Sequence, residues 1–274
     1  MRVAVAKQFG AVEGIKLGIG YLGPPPVQVY AFRVDGLLID TGPPILQREF
    51  MGWLEEQLIE QVFITHHHED HSGNVNPIAQ KHSTAIFGSP LCSELVQGKV
   101  GTCLPQRMYW GTPRYTNKVI PFSNTTLETE KHRFELIAIP GHSPDQIALY
   151  EPNEGWLFSA DAFVSPIIKY FMREESMYDQ ITSLKKLVAL DFEALYCSHN
   201  PLMEGGKEKL NQKIQFFENL YGQVVYWANQ GNTPRAIMRQ IEQKENWTQR
   251  FLTGGKMSAR NMVLSVLRDE AIRR

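Results

Sequence analysis

The sequence predicts an α/β fold on three observations. Short apolar runs of strand length are closed by Gly, Pro or Asp turns, amphipathic runs of helical length follow or separate them, and four of the apolar runs end on a His or an Asp. In order along the chain, residues 27–34 are extended and apolar, Asp35-Gly36 is a hairpin signal, and Leu37-Leu38-Ile39-Asp40 returns. Thr41-Gly42-Pro43-Pro44 stops that strand and launches a helix over 46–59, whose apolar residues approach helical spacing. A strand over 61–65 comes next, then a helix over 76–81, capped at Asn76 with Pro77 at its first position. Residues 98–121, rich in Gly, Pro and aromatics, read as loop. Strands follow over 134–139, 155–160 and 194–198. From Gly205 the pattern turns helical: 207–228 is amphipathic, Thr233-Pro234 is a cap with Pro at the first helical position, and 258–272 is a further capped helix. Phe216, Phe217, Tyr221, Tyr226 and Trp227 fall at helical spacing, which reads as core. Residues 205–274 are thus expected to form a C-terminal helical appendage.

The chain of 274 residues is long enough to bury a full core as one large domain or as a domain with an appendage. Its 43% hydrophobic and 21% charged residues argue against disorder. With 28 basic against 29 acidic residues, the net charge of -1 gives no electrostatic case for nucleic acid or an anionic membrane, and it weighs against reading the C-terminal helices as a DNA-binding helix-turn-helix. The N-terminus lacks the apolar stretch and cleavage site of a signal peptide, and no apolar run is long enough to span a bilayer. Cys92, Cys103 and Cys197 are too few for a disulfide framework. A cytoplasmic protein, free or as a homodimer, is expected.

The chemistry is concentrated in His66-His67-His68-Glu69-Asp70-His71, directly behind the apolar run Val62-Phe63-Ile64. Imidazoles and carboxylates suit zinc, iron(II) or manganese, and two His at i and i+2 leave a tight loop pointing the same way. Asp70 and His71 supply more ligands than one tetrahedral ion uses, so two metals are the simpler reading. His142, Asp161 and His199 stand at the ends of three other apolar strands, and four such ends together point to one shared site.

These residues closely resemble the metallo-β-lactamase superfamily, whose pattern is His-x-His-x-Asp-His, then a His, an Asp and a final His, each after a strand. The matching segments are THHHEDHSGN, PGHSPDQ, FSADAF and YCSHN, in the family's order over about 27–204. The resemblance implies a four-layer αββα sandwich over residues 1–204 with metals at one edge between two sheets. It further implies that His66, His68 and His142 bind one metal, that Asp70, His71 and His199 bind the second, and that Asp161 bridges the pair. Asp40, Thr65 and Asp145 match common supporting positions.

The function so implied is that of a binuclear metal-dependent hydrolase. Two divalent metals, zinc in the first place with iron or manganese as alternatives, would hold a bridging hydroxide against a small carbonyl substrate: a thioester, ester, lactone or lactam. Asp70 would serve as the catalytic carboxylate that orients the hydroxide or shuttles a proton. The rival readings are an iron-dependent oxidoreductase or dioxygenase, a phosphodiesterase or nuclease of the same fold, and a non-catalytic metal-binding domain. His68 stands where flavodiiron proteins carry Glu, and retention of Asp70, His71 and His199 disfavours a mononuclear dioxygenase. Val164 occupies the position of the tyrosine of quorum-quenching lactonases, although Tyr170 and Tyr178 could reach the site from another angle. The loop after Asp161 has no obvious copy of the glutathione-binding pattern of glyoxalase II. The 205–274 helices are expected to form part of the pocket wall.

Overall fold

Two β-sheets face each other across an aromatic core, and the alternation of side chains along each strand decides what each sheet buries on its other face. The computed structural model describes residues 1–98, 102–112, 116–241 and 244–273. Within them, a seven-stranded sheet runs in sequence order: β1 (Arg2–Phe9), β2 (Val12–Ile19), β3 (Val29–Val34), β4 (Leu37–Ile39), β5 (Gln61–Ile64), β6 (Ala85–Gly88) and β7 (Val119–Pro121). Pairing is antiparallel from β1 to β4 and parallel from β4 to β7. The second sheet has five strands: β8 (Thr126–Glu128), β9 (Arg133–Ala138), β10 (Ile147–Glu151), β11 (Trp156–Ala160) and, parallel to β11, β13 (Ala194–Cys197). A short pair, β12 (Phe171–Met172) with β14 (Met257–Ser258), lies apart from both.

Because successive strand residues face opposite ways, Phe32, Leu37, Ile39 and Phe63 of the first sheet meet Phe134, Leu149, Phe158 and Tyr196 of the second in one buried cluster. The intervening residues Leu38, Val62 and Ile64 turn outward, onto a layer that includes α1 (Gln47–Trp53), α3 (Val75–Lys81) and α4 (Pro90–Leu95). Two further helices on this side of the chain order are the single turn α2 (Glu69–Ser72) and α5 (Leu104–Tyr109). On the far side, Ala148, Leu157, Leu195 and Cys197 pack against α6 (Met177–Val188), α7 (Gly206–Asn229), α8 (Pro234–Gln240) and α10 (Ala259–Arg273). The remaining helix is α9 (Trp247–Leu252). The result is an αββα sandwich as expected, although α7, α8 and α10, beyond residue 204, lie in its outer helical layer beside α6. Full burial of each Phe in these layers contributes about 1.5–3 kcal/mol, which makes the scaffold an apolar construction.

The helices beyond residue 205 share one apolar cluster with the second sheet: Leu210, Ile214 and Phe217 of α7 and Val263 of α10 lie with Leu184 and Leu195. Among the described residues, no helix is long and apolar enough to cross a membrane.

Several elements differ from expectation. The helix expected over 46–59 ends at Trp53; Leu54 and Ile59 are still buried in the same cluster, so their apolar character serves irregular chain rather than a helix face. The next helix starts at Val75 rather than beyond Asn76, and Asn74 precedes it. Asn74 spends its amide on the carbonyls of Thr41, Gly42 and Pro43 instead of capping. Within 98–121, α5 and β7 are regular, α5 being opened by Cys103, whose N–H donates to the Gln106 side chain; residues 99–101 and 113–115 of that stretch lie outside the described residues. Residues 2–19 form a hairpin turned at Gly10, whose φ of +64° favours glycine.

Candidate metal centre

The C-terminal ends of β5, β9, β11 and β13 open on one edge of the sandwich, and there the seven candidate ligands meet. His66 and His68 leave β5 as a loop, and the turn α2 that follows presents Asp70 and His71. His142 follows Gly141, whose φ of +133° suits glycine and where an added Cβ would run into the backbone of Gln180. Asp161 follows Ala160, itself at φ +46°, and His199 follows β13.

The side chains form two groups. In the first, Nδ1 of His68 lies 3.1 Å from Nε2 of both His66 and His142. In the second, Asp70, His71, Asp161 and His199 place one ligand atom each within 4.8 Å of one another. Asp161 joins them. Its Oδ1 lies 3.3 Å from His71 Nε2, and its Oδ2 lies 3.0 Å from His199 Nε2 and 3.4 Å from His142 Nε2. Asp70 Oδ2 is 3.7 Å from Nε2 of both His71 and His199.

Outer contacts fix which nitrogen of each ring faces inward. Asp40 Oδ2 accepts from His71 Nδ1 at 2.7 Å, and the Gln28 carbonyl accepts from His199 Nδ1 at 2.6 Å. Thr65 Oγ1 donates to Asp40 and stands 3.1 Å from His66 Nδ1, while Glu175 lies 3.6 Å from His142 Nδ1. Each of these four imidazoles therefore turns its Nε2 to the centre, a common arrangement of metal-binding histidines. Asp40 holds this position from a left-handed backbone (φ +63°) and also accepts the Thr65 N–H. His67 is turned away: Asp145 accepts both its N–H and its Nδ1, with Ser143 donating to the same carboxylate.

The electrostatics separate the groups. Burial, helped by neighbouring imidazoles, pushes His66 and His68 well below the ordinary histidine range, which keeps them neutral and ready as ligands. Burial also opposes protonation of His71, His142 and His199, but carboxylates outweigh it. Asp161, Asp70 and Asp40 hold His71 well up, Glu175 raises His142, and Asp161 raises His199 to about 9. Asp161 is held well below the carboxylate range, against its burial, by His199 and His71; Asp70 is raised, chiefly by burial. A cation entering the second group must displace protons from it.

The arrangement fits divalent metal. His71 Nε2 and Asp161 Oδ1 are buried 3.3 Å apart and, among the described residues, neither makes a well-formed hydrogen bond, a costly condition that a cation between them removes. The donor set of imidazole nitrogen and carboxylate oxygen suits zinc, iron or manganese.

Glu175 was not legible as a site residue, since nothing in REES marks it. Trp110, with its ring 6.3 Å from that of His199 and inclined by 29°, was equally hidden in the middle stretch. Of the two tyrosines, Tyr178 lies under the Arg273 guanidinium, 4.0 Å from its ring centroid, and so belongs to the α6–α10 contact. Tyr170 borders a surface cavity of about 440 Å³ with Lys169, Lys244 and Gln249.

The family model described as the metallo-beta-lactamase superfamily matches residues 24–199. The chain belongs to that superfamily. It is 30% identical over 169 residues to a hydroxyacylglutathione hydrolase of Nitrosomonas eutropha, covering 60% of this chain and 56% of that protein. It is 27% identical over 189 residues to the beta-lactamase-like protein 2 homolog of Caenorhabditis elegans, covering 65% and 57%. The chain thus spans a little over half the length of these curated relatives. In three dimensions it superposes on a metallo-beta-lactamase from Pontibacter korlensis with a TM-score of 0.63 at 19% identity, over 79% of this chain and 99% of that one, which speaks for the fold.

Proposed function

We propose that this protein is a binuclear metal-dependent hydrolase of small carbonyl compounds, with His66, His68, His142 and Asp161 holding one ion and Asp70, His71, His199 and Asp161 the other. The observation that carries the reading is Asp161, whose two oxygens lie within 3.0–3.4 Å of histidines from both groups. When bound, the metals would supply a water ionised near neutral pH and a sink for the charge developing on the carbonyl oxygen. The chain's own part is orientation. Asp40, Gln28, Thr65 and Glu175 hold the rings in one tautomer, so that no ligand must reorganise during turnover. The Asp70 carboxylate, set among the same ligands, would orient the attacking water or carry its proton to the leaving group.

We rank thioesters first among the candidate substrates, ahead of esters, lactones and lactams, a ranking supported by the name hydroxyacylglutathione hydrolase of a relative. The test is elemental analysis of purified protein followed by kinetics on a panel of these four classes and a phosphodiester. Two metals per chain and carbonyl hydrolysis that falls by orders of magnitude in His66→Ala and His199→Ala, with circular dichroism unchanged, are expected. Phosphodiester turnover alone, or oxygen consumption by an iron-only preparation, would overturn the reading. A small-molecule hydrolase without nucleic-acid or membrane partners, working in the cytoplasm, goes with this proposal.

A further inference from the structure

Lys213 is the least expected residue of α7. It falls between Leu210 and Phe217 on the face that packs into the apolar cluster over the second sheet, and it is 2% exposed. A buried ammonium is costly unless something compensates it, yet no carboxylate lies within ion-pairing distance of Lys213 among the described residues. What it has is a hydrogen bond from Nζ to the Ala162 carbonyl at 2.8 Å, the face of Phe217, with the ring centroid 5.1 Å away, and the longer-range pull of the Glu175 and Asp161 carboxylates.

The carbonyl it holds belongs to the residue after Asp161. That turn needs holding: Ala160 is forced to φ +46°, a conformation costing on the order of 1–3 kcal/mol for a residue with a Cβ. It is also where the β11–β13 register slips between Phe158 and Ala160. The turn is closed by the Ala162 N–H, which donates to the Ser159 carbonyl at 3.0 Å, and its next carbonyls are taken from outside. Ala160 receives the Ser198 N–H at 3.0 Å, and the single Cys197 S–H lies between the Ala160 carbonyl, at 3.2 Å, and the Phe163 carbonyl, available to one or the other. Ala162 receives Lys213, the one of these donors that comes from the helical layer.

We propose that Lys213 is a positioning residue for Asp161: by gripping the Ala162 carbonyl from beneath, it aims the Asp161 carboxylate between the two histidine groups, so that α7 is part of the metal centre. This rests on the reading of Asp161 as a shared metal ligand. The cost of the buried ammonium is tolerated because the bond fixes a strained turn at a position where a small displacement would misplace a ligand to both groups.

The experiment is zinc binding by metal-free wild type and K213M, with a chromophoric chelator as competitor, alongside thermal unfolding of both metal-free proteins. Methionine fills a similar volume without charge or donor. The expected result is a metal-free melting temperature unchanged or raised, because a buried charge has gone, together with zinc binding weakened about tenfold or more. K213R, which keeps a charged donor, is expected to recover part of that affinity. Equal zinc affinity in K213M and wild type overturns the proposal, and so does a K213M chain that is unfolded without metal, since Lys213 would then serve stability alone. Wild-type protein that takes up no zinc overturns the reading of the site itself, a distinct outcome.

Discussion

Asp40 Oδ2 and His71 Nδ1 are 2.7 Å apart, both fully enclosed, and that single contact determines that the imidazole offers Nε2 to the second ligand group. The same carboxylate also takes the Thr65 N–H and hydroxyl, so one residue on the end of β4 sets the orientation of two segments of the His cluster.

Asp40→Asn keeps the size and tolerates the left-handed backbone, but it replaces one acceptor oxygen with a donor. Metal affinity should fall about 10–100-fold with little change in the melting temperature of metal-free protein. Chelator competition and thermal melts measure the two effects separately, and unchanged affinity would show that the tautomer is set elsewhere.

Asp161→Ala removes the carboxylate that approaches both groups. Both ions should weaken together, and hydrolysis should fall by orders of magnitude. Metal content after dialysis checks this; a variant that keeps two tightly held ions would remove the bridging assignment.

Phe217 is fully buried on α7 and meets the Phe171 ring edge-on at 5.5 Å. Phe217→Ala should cost about 3–5 kcal/mol. Because α7 shares its cluster with the second sheet, the loss should appear as a lower midpoint of a single denaturant transition. Two separated transitions would instead mark the 205–274 helices as a unit that folds alone.

Lys213 gives a pH signature. Burial lowers its pKa to about 8 from the usual 10.5. Between those values the unfolded chain binds a proton that the folded chain does not, so stability attributable to this residue rises with pH across that window and is lowest below about 8. The full difference is on the order of 3 kcal/mol. Denaturation of metal-free wild type and K213M from pH 7 to 10 should show the wild type gaining on the variant; parallel profiles would mean that Lys213 is not held in a low-dielectric site.

The seven candidate ligands were legible in the sequence because they cluster in the segments that follow four apolar strands, where a His or Asp has no packing reason to recur. The αββα layering followed from the family resemblance those residues carry, and the strand alternation then filled it: Phe63 faces one core while Val62 and Ile64 face the other. Local pattern also located β5 and the Thr233 cap, whose hydroxyl accepts the Ala236 N–H.

Tertiary structure decided the rest, because the forces involved act between residues distant in sequence. Glu175 becomes a support of His142 only when the chain entering α6 is packed beside the loop after β9, and Gln28 supports His199 through a backbone carbonyl that no side-chain pattern can advertise. The helix expected over 46–59 stops early since burial of Leu54 and Ile59 needs proximity to the sheet, not helical form. Lys213 reads in the sequence as one more charge on an amphipathic helix; the fold alone brings it beneath Ala162, 51 residues away, where desolvation makes its hydrogen bond matter.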